Sequence, residues 1–295
     1  MTRSILWFRF VSAALLVQMF FPCSAFAETL HYKYFRIGSP TDLQTTTRGG
    51  FALMGGGKDL DRAFQWMCER SGGGDFLILR ASGDDDYNPY VQGLCHVNSV
   101  ATLVMPDRAA AEDPFAAEAI RNAEAVFIAG GDQANYINFW MGTPVQKALN
   151  EAIARNVPIG GTSAGLAVQG EFVYSAQGDA PDGPDLSSPE TLSNPFNPRV
   201  TIVHQFLDNR LLKDVITDTH FAARNRMGRS LVFMARILQD GRAIRFEISR
   251  SMNAQRFSSN RQGWLRSSAL GPPISCKPRT NRKHAPPIAC SPFAE

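Results

Sequence analysis

Cysteine is scarce in this sequence, and the few cysteines present do not form close pairs. There are five among 295 residues, and none of them has the C-x-x-C spacing of zinc or dithiol redox sites. The scarcity excludes a small disulfide-rich scaffold, and the spacing gives no support for a metal site. Cys68 falls in a helical pattern, where we expect a small buried hydrophobe rather than a disulfide to Cys95.

An excess of charge of one sign is also lacking over most of the chain. Charged residues make up 19% and hydrophobic residues 44%, so the chain can bury a full core as one large domain or two small ones. Ten basic and two acidic residues follow residue 240, which leaves 20 basic against 25 acidic before it. This acidic body excludes a generally basic nucleic-acid-binding protein, and we expect no nucleic-acid partner.

Long hydrophobic runs are absent after the first 27 residues. Two arginines lead into an apolar run over residues 10–21, and residues 25–27, Ala-Phe-Ala, match the small-residue cleavage pattern of a secretory signal. A membrane anchor is the alternative, but the run is shorter than the roughly 20 residues that span a bilayer. We therefore predict a signal peptide over residues 1–27, cleavage between Ala27 and Glu28, and a secreted or periplasmic product without a membrane partner.

After a polar arm over residues 28–45, short apolar runs alternate with amphipathic segments. The apolar runs predict buried strands over residues 51–54, 76–79, 100–105, 125–129 and 157–159. The amphipathic spacing predicts helices over residues 59–70, 114–122 and 143–155. This alternation predicts an α/β domain over residues 46–240, with a mostly parallel sheet and helices on both faces. The ligand site of such a sheet lies outside the carboxyl ends of its strands.

One glycine-rich turn at such a strand end contains a serine. Residues 161–165 read Gly-Thr-Ser-Ala-Gly between a predicted strand and a predicted helix, which fits the G-x-S-x-G nucleophile elbow. The helix that follows such a turn offers N–H groups to a developing oxyanion. We therefore predict that Ser163 is a nucleophile; the alternative is an ordinary glycine-rich turn.

A serine nucleophile needs a base, and His220 lies downstream of Ser163 as the chain order of elbow enzymes requires. A purely structural histidine is the alternative. An acid that orients the imidazole should lie between the two in the chain, where a Pro/Gly/Ser-rich loop holds four candidates: Asp179, Asp182, Asp185 and Glu190. We choose Glu190 and leave the other three open.

Further polar residues surround these positions in the sequence. Three arginines follow His220 as a run that is either a solvated basic face or a set that binds substrate carboxylates or holds the acidic loop. Asp132 and Gln133 follow the predicted strand over residues 125–129 at its carboxyl end, and Thr162 precedes the elbow serine. The candidate substrate-binding residues are therefore Asp132, Gln133, Thr162, Arg224, Arg226 and Arg229.

Four segments together resemble the cyanophycinase-like serine peptidases, which are relatives of the bacterial aspartyl dipeptidase. The segments are 53–57 (Leu-Met-Gly-Gly-Gly), 127–133 (Phe-Ile-Ala-Gly-Gly-Asp-Gln), 160–165 (Gly-Gly-Thr-Ser-Ala-Gly) and 218–221 (Asp-Thr-His-Phe) with the arginine run. The resemblance spans residues 46–240. It implies the flavodoxin-like sheet of class I glutamine amidotransferases and a nucleophile elbow after a central strand.

The resemblance also implies roles and substrates. Ser163 would be the nucleophile and His220 the base, with an oxyanion hole from the backbone N–H groups of Ala164 and of Gly56 in the glycine loop. Known activities in the family act at aspartyl bonds, either the β-linked aspartyl-arginine branches of cyanophycin or dipeptides that begin with aspartate. Cyanophycinases tend to carry Gln where this chain has Thr219. No cofactor is implied, and the sequence leaves open whether the protein forms a homodimer.

Two other functional classes stay open at this point. A glutaminase or amidotransferase of the same fold would need cysteine at the elbow, where this chain has Ser163. A secreted binding protein could keep the pocket without turnover. Nucleotide binding is disfavoured because residues 55–57 lack the G-x-G-x-x-G pattern and no Walker lysine-serine pair follows.

The tail over residues 241–295 differs in character from the rest of the chain, because it is rich in Arg, Ser and Pro. In a shifted frame, and with permitted codon choices, residues 251–263 can be re-read as Asp-Glu-Arg-Thr-Ala-Leu-Leu-Val-Glu-Pro-Thr-Gly. This string resembles an Asp-Glu-x-Thr-Ala strand and turn of the family, and residues 264–269 continue as Ala-Thr-Val-Val-Gly. We predict a frameshifted tail that leaves the sheet without its last strands. The alternative is a genuine basic tail that binds an anionic surface.

Overall fold

The computed structural model describes residues 31–180 and 183–241, together with the backbone of strands that lie between residues 246 and 292. The predicted signal peptide over residues 1–27 lies outside the described residues. Among the helices that are described, none is long and apolar enough to cross a membrane.

Between residues 31 and 170, strands and helices alternate, as the sequence predicts. The described strands are β1 (Lys33–Gly38), β2 (Gly50–Met54), β3 (Asp75–Arg80), β4 (Ser99–Val104), β5 (Ala125–Ile128), β6 (Pro158–Thr162), β7 (Phe172–Tyr174), β8 (Ile202–His204), β9 (Val215–Asp218), β10 (Phe246–Arg250), β11 (Phe257–Ser259), β12 (Trp264–Ser267), β13 (Ile274–Pro278) and β14 (Ile288–Pro292). The described helices are α1 (Asp61–Arg70), α2 (Tyr87–Leu94), α3 (Arg108–Glu112), α4 (Pro114–Arg121), α5 (Gln133–Trp140), α6 (Pro144–Ala154), α7 (Ala164–Ala167), α8 (Ser188–Ser193) and α9 (Met227–Gln239).

The larger sheet has the strand order β1-β4-β3-β5-β6-β2-β12-β11. All neighbours from β4 to β12 run parallel, and only β1 and β11 pair antiparallel at the two edges. The carboxyl ends of β2, β5 and β6 therefore lie side by side at one edge of the sheet. The predicted α/β class with a mostly parallel sheet is confirmed.

Helices cover both faces of this sheet, because the side chains of its central strands are apolar on both faces. Phe51 and Leu53 of β2 belong to the core under α3–α6, whereas Ala52 and Met54 belong to the core under α1 and α2. A parallel strand that is buried on both faces must be a continuous apolar run. This is why the five predicted strands could be located in the sequence.

A second sheet, which the sequence did not predict, has the order β14-β13-β10-β9-β7-β8. Here β9 runs parallel to β7 and to β10. The helix α9 covers it, with Phe233 and Ile237 in one buried cluster with Phe172 of β7. This sheet matters for function because β9 ends two residues before His220.

Two expectations about the first half of the chain are wrong. Residues 33–38 of the predicted polar arm form β1, which pairs along its whole length with β4. Cys68 and Cys95 form a disulfide, with their Cα atoms 6.1 Å apart. The helical pattern around Cys68 was read correctly, but the end of α2 packs against that helix and brings Cys95 to it.

The tail contributes backbone to both sheets. The strand β10 pairs with β9, and β12 pairs with β2. Strands of the tail thus lie beside β9 and β2, where the predicted loss of the last strands would have left these two strands unpaired. The reading frame of the tail itself stays a prediction.

Candidate active site

Ser163 occupies a sharp turn between β6 and α7. Its backbone has φ 52° and ψ −120°, a conformation that a non-glycine residue adopts only when its surroundings enforce it. The backbone N–H of Ser163 donates to Met54 O at 3.1 Å, which ties the turn to the end of β2. A Cβ at Gly165 would overlap the backbone at Ile128. Close packing therefore requires glycine at position 165, two residues after the serine, as the elbow motif implies.

The structure brings His220 to this serine. Ser163 Oγ and His220 Nε2 are 2.8 Å apart, within hydrogen-bond distance. His220 follows β9 and is itself held by its backbone N–H, which donates to Gly55 O at 2.7 Å. Gly56 packs directly on the imidazole, because a Cβ at that position would overlap Nε2 and Cε1 of the ring.

The surroundings of His220 favour its neutral form. Burial lowers the pKa of its imidazole, and the positive charges of Arg224 and Arg226 lower it further. The carboxylates of Asp185 and Asp218 act in the opposite direction, but the net effect is a pKa below the ordinary value. A neutral imidazole at neutral pH can accept a proton from Ser163, as a general base must.

The structure does not bring Glu190 to His220. The Glu190 carboxylate accepts two hydrogen bonds from Nη1 of Arg199, at 2.9 and 3.0 Å, and Asp179 accepts one from Nε of the same arginine at 2.7 Å. Arg199 lies on the same long loop, so these acids find a local partner. Asp182 is outside the described residues.

Asp185 is the one described candidate acid whose charge acts on the imidazole. Its hydrogen bonds, however, go to Arg224 and Arg226. Among the hydrogen bonds of the described residues, none joins His220 to a carboxylate. The identity of the orienting acid therefore stays a prediction.

Of the two backbone groups proposed for the oxyanion hole, one adjoins Ser163 and the other lies against His220. Ala164 is the first residue of α7, so its N–H has no acceptor within that helix. Gly56 lies against the His220 ring. Gly130, after β5, also lies near the serine, since a Cβ there would be in ordinary van der Waals contact with Ser163 Cβ at 3.5 Å.

Of the candidate substrate-binding residues near the elbow, Asp132 is exposed and Thr162 is buried. The Asp132 carboxylate caps α5 by accepting from Ala134 N at 2.8 Å. Thr162 Oγ1 is buried, and no hydrogen-bond partner for it is found among the described residues. Gln133 is the first residue of α5 and is partly exposed. The carboxylate of Asp132 thus has a structural task that the sequence did not show.

The arginines that follow His220 hold acidic groups of the protein itself. Arg224 and Arg226 both donate to Asp185 Oδ2, at 2.6 Å each. Arg229 binds Asp218 through Nε and Nη2, at 3.0 and 2.5 Å. Sequence reasoning missed this role of Asp218, because the strand β9 that buries it was not predicted; the signal in the sequence was its position two residues before His220.

A serine at a strand-to-helix elbow, hydrogen-bonded to a histidine at the carboxyl edge of a mostly parallel sheet, is typical of α/β hydrolases. The model of peptidase family S51 matches residues 58–218, more than half of the chain. The chain therefore belongs to peptidase family S51, and the resemblance read from its motifs is confirmed. The match includes Ser163 and ends two residues before His220.

Several curated or solved proteins are similar to this chain. The chain is 27% identical over 184 residues to a cyanophycinase of Geminocystis herdmanii, covering 59% of this chain and 61% of that protein. It is 29% identical over 205 residues to a cyanophycinase of Thermosynechococcus vestitus, covering 65% and 59%. The chain thus spans about 60% of the length of these curated relatives. A solved peptidase from an acI-B1 actinobacterium has a TM-score of 0.46 at 16% identity, covering 72% of this chain and 83% of that one.

Proposed function

We propose that this member of family S51 is an exported serine peptidase that hydrolyses aspartyl bonds through an acyl-enzyme on Ser163. The observation that carries the proposal is the 2.8 Å contact between Ser163 Oγ and His220 Nε2 at a strained elbow. The lowered pKa of His220 supports the same assignment, because the base must be neutral to act.

The reaction follows from this geometry in two halves. Ser163 Oγ attacks the scissile carbonyl carbon while His220 Nε2 takes its proton, and the carbonyl oxygen becomes an oxyanion beside the N–H groups of Ala164 and Gly56. The C–N bond then breaks, and His220 gives its proton to the leaving amine. Water attacks the acyl-serine with His220 again as base, which releases the carboxylic acid and restores Ser163.

The substrate class rests on the family and on charge. The relatives named above are cyanophycinases, and the resemblance implies aspartyl linkages such as β-Asp-Arg. Two arginines of this chain are fixed to the turn that carries His220, where they can meet an acidic group of the substrate.

Export is part of the proposal. The predicted signal motivates it, and the Cys68–Cys95 disulfide supports it, because disulfides persist mainly in oxidising compartments. N-terminal sequencing of protein collected outside the cytoplasm should begin at Glu28. Intact Met1 at the N-terminus of that protein would contradict cleavage.

The central test combines labelling with turnover. A serine-reactive fluorophosphonate should modify the wild type, and the wild type should hydrolyse a β- or α-aspartyl dipeptide. Both activities should be lost in Ser163→Ala, and labelling should fall at least about 100-fold in His220→Ala. Ser193→Ala, which removes an exposed serine of α8, should change neither activity. Retained turnover in Ser163→Ala would refute the mechanism.

A secreted binding protein without turnover is the second candidate. It is favoured by one observation: the hydrogen bonds of the described residues include none from His220 to an acid. The same labelling distinguishes the two functions, since an inactive pocket would leave Ser163 unmodified.

A further inference from the structure

Arg229 is fully engaged inside the protein. Its Nε and Nη2 donate to the two oxygens of Asp218, so a single carboxylate fills one edge of the guanidinium fork. Nη1 donates to Leu186 O at 3.2 Å. The side chains of Arg229 and Asp218 are only 2% and 5% exposed. This ion pair is structural and has little left to offer a ligand.

Arg226 has a fork that is only half filled. Its Nη2 donates to Asp185 Oδ2 at 2.6 Å. Nε, on the same edge of the guanidinium group, is buried, and no partner for it is found in the described part of the chain. A buried donor without an acceptor is unfavourable. The fork therefore lacks the bidentate carboxylate that its shape would hold.

The carboxylate now in place is a poor fit for this fork. Asp185 Oδ2 also accepts from Nη1 of Arg224 at 2.6 Å, so one oxygen serves two guanidinium groups. Asp185 is 50% exposed and Arg224 is 47% exposed, whereas Arg226 is 7% exposed. Ion pairs that are open to water contribute little free energy. The pair of Asp185 with the exposed Arg224 is therefore weak, and a ligand carboxylate that replaced Asp185 would keep the buried Arg226 paired.

This arginine pair is fixed to the turn that holds the proposed base. Nη1 of Arg226 donates to the carbonyl oxygen of Thr219 at 2.9 Å, and Thr219 directly precedes His220. The backbone N–H of Arg224 donates to the carbonyl oxygen of His220 at 2.9 Å. The positive charges of both arginines also act on the imidazole. A ligand carboxylate that replaced Asp185 would thus lie on the same turn as the base.

We propose that Asp185 is an internal substitute for a substrate carboxylate: it occupies the Arg224–Arg226 pair in the empty enzyme and is displaced when an acidic substrate binds. This inference rests on the proposed function, because it takes the substrate to be acidic and bound beside His220. Asp185 is then a specificity-determining residue. The apparent Kd for an acidic ligand is then the intrinsic Kd divided by the fraction of molecules whose arginine pair is free of Asp185.

Binding without turnover tests the inference. The protein is the full chain with Ser163→Ala, and the probe is the β-aspartyl-arginine dipeptide. The same dipeptide with its free aspartyl carboxylate amidated is the neutral comparator. Added Asp185→Asn should lower the Kd for the acidic probe about fivefold, the upper range for a partly exposed ion pair, and leave the amide unchanged. Glu112→Gln, which neutralises an exposed glutamate paired with Arg108, is the matched control and should change neither.

Arg226→Lys tests whether the tighter binding of the acidic probe depends on the guanidinium fork of Arg226. Lysine keeps the charge but loses the fork, so Asp185→Asn in that background should give no tighter binding. Asp185→Ala should repeat the effect of Asp185→Asn, which guards against a local effect of the amide. Equal or weaker binding of the acidic probe in both Asp185 variants would overturn the inference. A gain that persists with Arg226→Lys would overturn it as well.

Turnover by the chain with Ser163 intact separates this inference from the proposed function. If that protein cleaves no aspartyl peptide and yet the Asp185 variants bind the probe more tightly, the peptidase function fails and the inference stands. If it cleaves the dipeptide and the Asp185 variants leave binding unchanged, the function stands and the inference fails. Undetectable binding of the acidic probe to every variant would count against both.

Discussion

Gly56 should be essential for a geometric reason that can be separated from backbone strain. A Cβ at this position would overlap Nε2 and Cε1 of the His220 ring and lie 3.0 Å from Cδ2. The ring also makes a 2.8 Å contact with Ser163 Oγ. Gly56→Ala must therefore either push the imidazole away from the serine or shift the glycine loop that approaches it.

The size of the effect follows from two separate terms. Gly56 has φ +91°, so alanine there is strained by about 1–2 kcal/mol in the folded state. Gly57 has nearly the same φ, +89°, but is exposed. Gly57→Ala therefore places an alanine at a similar positive φ in an exposed position, and it is the matched control for the strain. Displacement of the base should reduce the reactivity of Ser163 by a further factor of about 10²–10⁴.

The assay is the rate of fluorophosphonate labelling at Ser163, which needs the base but no knowledge of the substrate. Urea unfolding of both variants measures the strain separately. We expect similar losses of stability for Gly56→Ala and Gly57→Ala, but slow labelling only for Gly56→Ala. Equal labelling rates in the two variants would refute the argument that Gly56 positions His220.

Two further predictions concern pH and redox state. His220 must be unprotonated to act as the base, and its pKa is lowered, so kcat/KM should fall only as the pH drops below the ordinary histidine value of 6.5. Arg224→Gln removes a positive charge near the imidazole and should therefore move this fall in kcat/KM to higher pH. An unchanged pH profile would contradict the electrostatic argument. The Cys68–Cys95 disulfide closes a loop of 27 residues, so its removal by Cys68→Ser with Cys95→Ser should lower the free energy of unfolding by about 3.5 kcal/mol in the chain-entropy model. Urea unfolding of the double variant against the wild type measures this loss, and equal midpoints would show that the loop is already ordered in the unfolded chain.

The parts of the fold that the sequence predicted are those with a strong local signal. Each of the five predicted strands is a continuous apolar run, because each is buried on both faces. The elbow was visible because close packing demands small residues on both sides of Ser163. His220 followed from chain order, and its contact with Ser163 is the geometry that this order suggests.

The missed features depend on distant partners. The strand Phe172–Tyr174 has only three residues, too few for a pattern, and the second sheet assembles from such pieces. Residues 33–38 look polar because β1 is a half-exposed edge strand. Glu190 does not bind His220 because it forms an ion pair with Arg199, nine positions further along the chain. No local sequence pattern reveals this competing partner.

The tail of the chain presents a mismatch between its sequence and its place in the sheet. The strand β12 lies parallel beside β2, and all five residues of β2 are buried. A strand in that position is normally a continuous apolar run. The tail supplies Trp-Leu-Arg-Ser there, with Arg266 opposite Leu53 in the register. The alternative frame over residues 264–269 reads Ala-Thr-Val-Val-Gly, which is the β-branched composition that a buried strand favours.

A gene restored to the alternative frame should therefore encode a more stable protein. Each valine that becomes fully buried contributes about 1.5–3 kcal/mol, and 1 kcal/mol shifts the Tm of a domain of this size by about 2–4 °C. We expect the repaired product to unfold at least about 5 °C higher and to aggregate less, while labelling of Ser163 is retained. Resequencing between the codons for Asp240 and Ser251 tests the cause. Confirmed bases together with a stop codon in the alternative frame, or a repaired product that is no more stable, would show that the basic tail is genuine.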